Sequence, residues 1–238
     1  MKEIVFESID STNTYLKEHY AETEDQTFVR SEEQTAGRGR HTRVWESRKG
    51  ENLLFSLLLK DRRVFPYFKE LSLISALSVA QLLQKYGLES VGIKWPNDVY
   101  VRDAKICGIL LESVSQETME CLIIGIGLNV NQKTFPNTFL HEATSMKNKL
   151  GKEISLEKVK EDLYRILLNN IQKVTEGYDF QKEISAMDYL KGKEAVAQIG
   201  KEERKVKVTG IQKDGSLKVD LNGETLCLYS GEISFHKG

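Results

Sequence analysis

Apolar positions change their period several times along the chain, and each change marks an element. "EIVFESID" near the start alternates like a short strand. "DSTNTYLKEHY" then sets Tyr15, Leu16, His19 and Tyr20 at helical spacing behind a cap from Asp10 or Ser11. "TFVRSE" and "NLLFSLLL" read as strands, the second so apolar that both of its faces should be covered. Between them runs a polar, glycine-bearing loop. From about Phe65 to Tyr86, residues Leu71, Ile74, Leu77 and Leu82, with small Ser75 and Ser78, form a helical stripe that Gly87 closes.

The period then shortens. "VGIKW", "DVYV", "KICGILLESV" and "ECLIIGIGLNV" are β-rich runs parted by turns at Pro96-Asn97-Asp98 and Arg102-Asp103, which predicts a largely antiparallel sheet. A long helix follows from a Ser155 cap to Gly177, with Leu156, Val159, Leu163, Ile166, Leu167, Ile171 and Val174 on one face. A shorter helix is expected around Tyr178 to Tyr189. After Lys191 the pattern becomes strands separated by tight turns, such as Asp214-Gly215 and Asn222-Gly223, as in a small β-barrel. The order of elements predicts an α+β protein of two domains, 1–190 and 191–238.

Composition narrows the function classes. With 238 residues and 40% hydrophobic content the chain is long enough for a substantial core. Lys and Arg number 34 against 35 Asp and Glu, so no global field draws the protein to nucleic acid or an anionic membrane, and any anion site must be local. Cys107, Cys121 and Cys227 form no CxxC pair and suit reduced thiols better than disulfides or zinc, so no bound structural metal is expected. No apolar run approaches the roughly 20 residues that span a bilayer, and the start lacks a signal peptide's pattern; a cytoplasmic protein is expected.

Five polar constellations interrupt the apolar strands: "DSTN", "QTAGRGRHTRVW", "KWPND", "AKICGILLES" and "GIGLN". The glycines of the last cost sheet stability, which makes sense where a ligand rests against the strands and Asn129 bonds to it; a β-bulge is the alternative. Arg38 and Arg40, set among Gly37 and Gly39, suit an oxyanion cradle for phosphate or carboxylate. The competing readings are a solvated loop and an arginine inserted in a narrow DNA minor groove. Flanking apolar strands, near-zero charge and the neighbouring Trp45, whose face suits a purine ring, favour the cradle. Lys105 at a strand start is otherwise a solvated edge cation, and Asp98 in its proline-directed turn otherwise a backbone cap.

Together these motifs, in this order and with the closing "GEIS", resemble the biotin protein ligases over nearly the whole chain. The resemblance implies a class II synthetase-like fold: a mixed, mostly antiparallel sheet with helices on one side and a small C-terminal SH3-like barrel. It implies a two-step reaction. Biotin and ATP, with Mg2+, give biotinyl-adenylate and pyrophosphate; a lysine of a biotin carboxyl carrier domain then takes the biotin, releasing AMP. Carried over to this chain, Ser11, Thr12, Asn13 and Gln34 line the biotin end, and Gly37, Arg38, Gly39 and Arg40 fold over the adenylate. Lys105 meets the biotin carboxylate and reacting phosphate. Arg43, Trp45 and Asn129 surround the nucleotide, while Asn97 and Asp98 lie near the phosphates and the incoming lysine. An aspartate is too weak a base to strip a lysine ammonium outright, so Asp98 is expected to orient and stabilise the amine.

One residue departs from the family pattern. Where the family has glycine before its third arginine this chain has Thr42, which adopts positive φ reluctantly. The first strand begins so early that no DNA-reading domain is expected, hence a ligase without repressor function that binds neither nucleic acid nor membrane. A monomer or weak homodimer is expected. The rival readings are a lipoate or octanoate ligase or transferase, a non-catalytic biotin sensor, and a minor-groove module.

Overall fold

The computed structural model describes residues 2–40, 43–136, 142–200, 202–229, 231 and 233–234. The question about Thr42 lies outside them. Strand β1 (Lys2–Ile9) leads through helix α1 (Thr12–His19) to β2 (Thr27–Gln34), and β3 (Leu53–Leu59) follows the polar loop. A 3-10 turn over Arg62–Tyr67 feeds α2 (Phe68–Lys85), and then come β4 (Val91–Lys94), β5 (Asp98–Val101), β6 (Ala104–Ser115) and β7 (Met119–Leu128). These seven strands form one sheet in the order β1-β2-β3-β7-β6-β5-β4. β1 and β2 run parallel, because α1 serves as the crossover between them, and every other neighbour is antiparallel.

α3 (Met146–Leu150), α4 (Leu156–Thr175) and α5 (Gln181–Ala186) complete the first part. α5 is shorter than the helix expected there. α3 was not legible in the apolar pattern: at five residues it is held by its Ser145 cap and ended by Gly151 at φ +70°. α2 and α4 cover one sheet face, packing on Phe28, Leu57, Leu59, Leu122 and Ile124. The expectation of helices on one side describes these two. α1 lies on the opposite face, where Leu16 meets Val29, Leu58, Cys121 and Ile123. Being only eight residues long, it covers one end of that face. All seven residues of β3 are buried, as its unbroken apolar run requires.

The second sheet begins close to the change of pattern after Lys191. It comprises β8 (Glu194–Ile199), β9 (Glu202–Ile211), β10 (Leu217–Leu221), β11 (Glu224–Leu228) and β12 (Ile233–Ser234), antiparallel in the order β11-β10-β9-β8-β12. Its Val206, Val208, Leu217 and Val219 belong to the same apolar cluster as the core of the large sheet. The Trp95 indole donates to the Gly215 carbonyl at 2.9 Å, joining the two sheets. Cys107 and Cys121 are buried and Cys227 exposed, all three free. Among the described residues no helix is long and apolar enough to cross a membrane.

Candidate active site

The face that α1 leaves open is floored by glycine. Gly127 pairs with Gly108 and Gly125 with Leu110, in regular register on both sides of β7, so these glycines do not mark a bulge. They are required by close approach. A Cβ on Gly127 would lie 2.5 Å from the Trp45 ring, one on Gly108 2.9 Å from the same ring, and one on Gly125 2.2 Å from Asn13 Oδ1. Trp45 therefore rests flat enough on the strands to exclude any side chain beneath it. Its Nε1 is buried without a hydrogen-bond partner among the described residues.

At one end of this floor stands a buried polar row. Ser11 caps α1, its hydroxyl accepting from Thr14 N at 3.4 Å. Gln34 Oε1, at the end of β2, accepts from Thr12 N at 2.8 Å and from its hydroxyl at 3.1 Å. The Thr12 hydroxyl also lies 2.7 Å from that of Ser56. Ser56 in turn donates to Asn13 Oδ1, whose amide Nδ2 donates to Glu112 at 2.9 Å. Ser11, Thr12, Asn13 and Gln34 are thus brought together as expected, with Ser56 and Glu112 as partners that the motifs had not singled out. The signals were present: Ser56 is the lone hydroxyl in "NLLFSLLL", and Glu112 the lone charge in "GILLES".

The arginine loop crosses the floor as a narrow hairpin. Gly39 N donates to the Arg43 carbonyl at 2.8 Å and Trp45 N to that of Gly37 at 2.9 Å. The Gly39 amide is therefore engaged within the loop rather than open to an anion. A Cβ on Gly37 would meet the Trp45 carbonyl at 2.4 Å, so this glycine too serves close approach. Arg38 pairs with Glu112, while Arg40 reaches Asn97 Oδ1 at 3.4 Å and the Gly231 carbonyl at 3.3 Å. Arg43 is exposed, and its charge acts on Tyr100. Burial raises the Tyr100 hydroxyl far above its ordinary value, Asp98 and Tyr189 adding to the rise and Arg43 opposing it.

Lys105 does not stand as a solvated edge cation. Its backbone is clasped by residues 142–144, donating to the Glu142 carbonyl at 2.8 Å and accepting from Thr144 N at 2.9 Å. Its ammonium lies 2.7 Å from Asp98 Oδ1, a charge pairing without the angle of a hydrogen bond, and 5.6 Å from the centre of the Trp45 ring. Asn97 secures this corner by donating to the Ile109 carbonyl at 2.7 Å and accepting through its own carbonyl from Ile109 N at 2.9 Å. Asn129, 4% exposed, donates to the Thr144 carbonyl at 3.0 Å, and its buried Oδ1 has no donor among the described residues. Such an acceptor suits an exocyclic amine.

The chain is similar to known proteins in sequence and in fold. The model of the biotin/lipoate A/B protein ligase family matches residues 5–129. The bifunctional ligase/repressor BirA of Bacillus subtilis is 38% identical over 131 residues, covering 54% of this chain and 40% of the relative. BirA of Escherichia coli is 28% identical over 233 residues, 95% of this chain and 71% of its own length. The structure is similar to that of the biotin protein ligase of Aquifex aeolicus in complex with biotin and ATP: TM-score 0.88 at 30% identity, covering 100% of this chain and 99% of the other. The family's matched segment carries the polar row, the arginine loop, Lys105 and the glycine floor, and by that match the chain belongs to the biotin/lipoate A/B protein ligase family.

Proposed function

We propose that the chain is a biotin protein ligase, which joins biotin to AMP at the expense of ATP and then transfers it to a lysine of a biotin carboxyl carrier domain. The observation that carries this reading is the convergence on one glycine-floored face of a neutral polar row, two loop arginines and Lys105. A neutral row of hydroxyls and amides suits an uncharged polar head such as the ureido ring of biotin. The cations suit the junction where its carboxylate meets a phosphate.

In the first step the carboxylate attacks the α-phosphate of ATP, forming the mixed anhydride and releasing pyrophosphate. Two anions must approach each other, and Lys105 with Arg38 and Arg40 offsets that repulsion. Trp45 and Asn129 hold the nucleotide, the indole by its face and the buried Oδ1 by accepting from the adenine amine. In the second step an acceptor lysine attacks the acyl carbon and AMP leaves. Asp98 holds Lys105 at rest; once Lys105 turns to the phosphate, that carboxylate is positioned to orient the incoming amine. Closure of the arginine loop excludes water from the anhydride.

Mg2+ fits this site in one way. Among the described residues no cluster of three His, Cys, Asp or Glu side chains makes a protein cage. Asp98 and Asn97 would supply one or two oxygens to Mg2+ bound alongside nucleotide phosphates, where the ion would supply charge neutralisation. Biotin-dependent exchange of labelled pyrophosphate into ATP tests the reading, with lipoate as the competing acid. Exchange with biotin alone is expected. Exchange with lipoate instead would assign the chain to the other branch of the family, and none with either acid would sink the ligase reading.

A further inference from the structure

Glu112 lies on β6 facing the open side of the sheet, and three elements converge on its carboxylate. Lys17 Nζ from α1 donates to Oε1 at 2.7 Å, Asn13 Nδ2 to Oε2 at 2.9 Å, and Arg38 of the loop approaches with Nη2 3.2 Å from Oε1 and Nη1 3.3 Å from Oε2. The side chain is only 15% exposed, against 34% for Lys17 and 41% for Arg38. Burial acts to raise this carboxyl, yet hydrogen bonds from Lys17 and Asn13, with the charges of Lys17 and Arg38, bring it below its ordinary value.

Lys17 and Asn13 alone give each carboxylate oxygen a short donor. Stability of the carboxylate therefore does not call for a third partner, least of all one from a loop at a longer distance. The consequence runs the other way, onto Arg38. Among the described residues its guanidinium is held only here, by one hydrogen bond from Nη1 and the charge contact of Nη2, so the remaining N–H groups are left for a ligand. Because Asn13 Nδ2 also donates to Glu112, its Oδ1 is left turned toward Ser56 above Gly125. One carboxylate thus fixes the polarity of an amide at one end of the site and the place of a guanidinium further along it.

We propose that Glu112 is a positioning residue, which holds Arg38 beside the polar row so that it meets the ligand's carboxylate already placed. This rests on the ligase reading. Glu112→Gln keeps an acceptor for Asn13 while removing the charge that attracts Arg38. In pyrophosphate exchange the variant is expected to raise the biotin KM about tenfold and to lower kcat no more than Arg38→Ala does, and in an Arg38→Ala background to have no further effect on either. Lys17→Met removes the shorter ion pair but leaves Arg38 on its partner, and its biotin KM should stay within about twofold of the unmodified chain.

An unchanged KM in Glu112→Gln, or an equal effect with and without Arg38, would overturn the proposal. So would a Lys17→Met variant whose biotin KM rises about tenfold, since the cluster would then be a structural block; that result stands even if Glu112→Gln fails to fold. Biotin-dependent exchange by the unmodified chain with any of these outcomes refutes the role of Glu112 alone. Its absence refutes the ligase reading and this proposal together.

Discussion

Replacing Gly125 by alanine isolates what the glycine floor does. Gly125 is outside the left-handed region, so alanine strains no backbone dihedral; its cost is steric. The new methyl would lie 2.2 Å from Asn13 Oδ1 and 2.9 Å from its Cγ, where ordinary contact begins near 3.4 Å. Asn13, 4% exposed, must retreat by about 1 Å, enough to break its bonds to Ser56 and Glu112. Loss of buried partners costs about 1–3 kcal/mol, and in a chain of this size each kcal/mol lowers Tm by about 2–4 °C. Gly127→Ala meets the Trp45 ring at 2.5 Å, but that ring belongs to a loop rather than to the buried polar row. The expected result is a clear fall in Tm and at least tenfold weaker biotin binding for Gly125→Ala. Gly127→Ala should keep nearly its full Tm and lose nucleotide affinity. Thermal unfolding and calorimetric titration with biotin and ATP separately measure both. Unaltered biotin affinity in Gly125→Ala would refute the placement of the polar row at the biotin end.

Lys105→Ala should lower pyrophosphate exchange by about 10²–10³, a single cation having been removed from the reacting junction; exchange within threefold of the unmodified chain would exclude Lys105 from that role. Arg40→Gly unties the loop from Asn97 and the Gly231 carbonyl, so biotinyl-adenylate should escape faster, read as labelling of lysines on a bystander protein. On acidification, Glu112 contributes stability that is complete above its ordinary value of 4.5 and is lost as pH falls through its lowered folded value. Glu112→Gln should therefore show a flatter Tm profile below about pH 4.5 than the unmodified chain, checked by thermal unfolding across that range.

Most elements could be read from hydrophobic period because their apolar positions recur over two or more turns or a full strand. α4 repeats its buried Val159, Leu163, Leu167, Ile171 and Val174 for twenty residues, and β3 is buried at every position. α3 escaped because a five-residue helix completes little more than one turn. The side of the sheet taken by α1 was equally hidden: Leu16 would bury itself on either face, and the choice is made by the crossover joining the parallel β1 and β2. In the site, glycine spacing announced a face that something approaches closely, here Trp45 and Asn13, but the partners of each polar group depend on strand register. Glu112 and Asn13 are 99 residues apart, and no local pattern connects them. The sequence sets Gly37 and Gly39 among arginines that suit an oxyanion cradle. The Gly39 N–H itself is spent within the loop, on the Arg43 carbonyl, a pairing that no spacing in the sequence announces.

The chain holds two tryptophans, and their settings differ in a way that makes the protein its own optical probe. Trp95 is 2% exposed and tied to the second sheet through its indole N–H, so its emission reports whether the two sheets remain joined. Trp45 lies half-buried on bare strand backbone beside the Lys105 ammonium, where a bound planar ring or a displaced cation alters its surroundings directly. A change in intrinsic fluorescence on adding ligand at constant temperature is therefore assignable to one residue without any label. Selective loss of the other signal during unfolding would show the small sheet detaching before the large one melts.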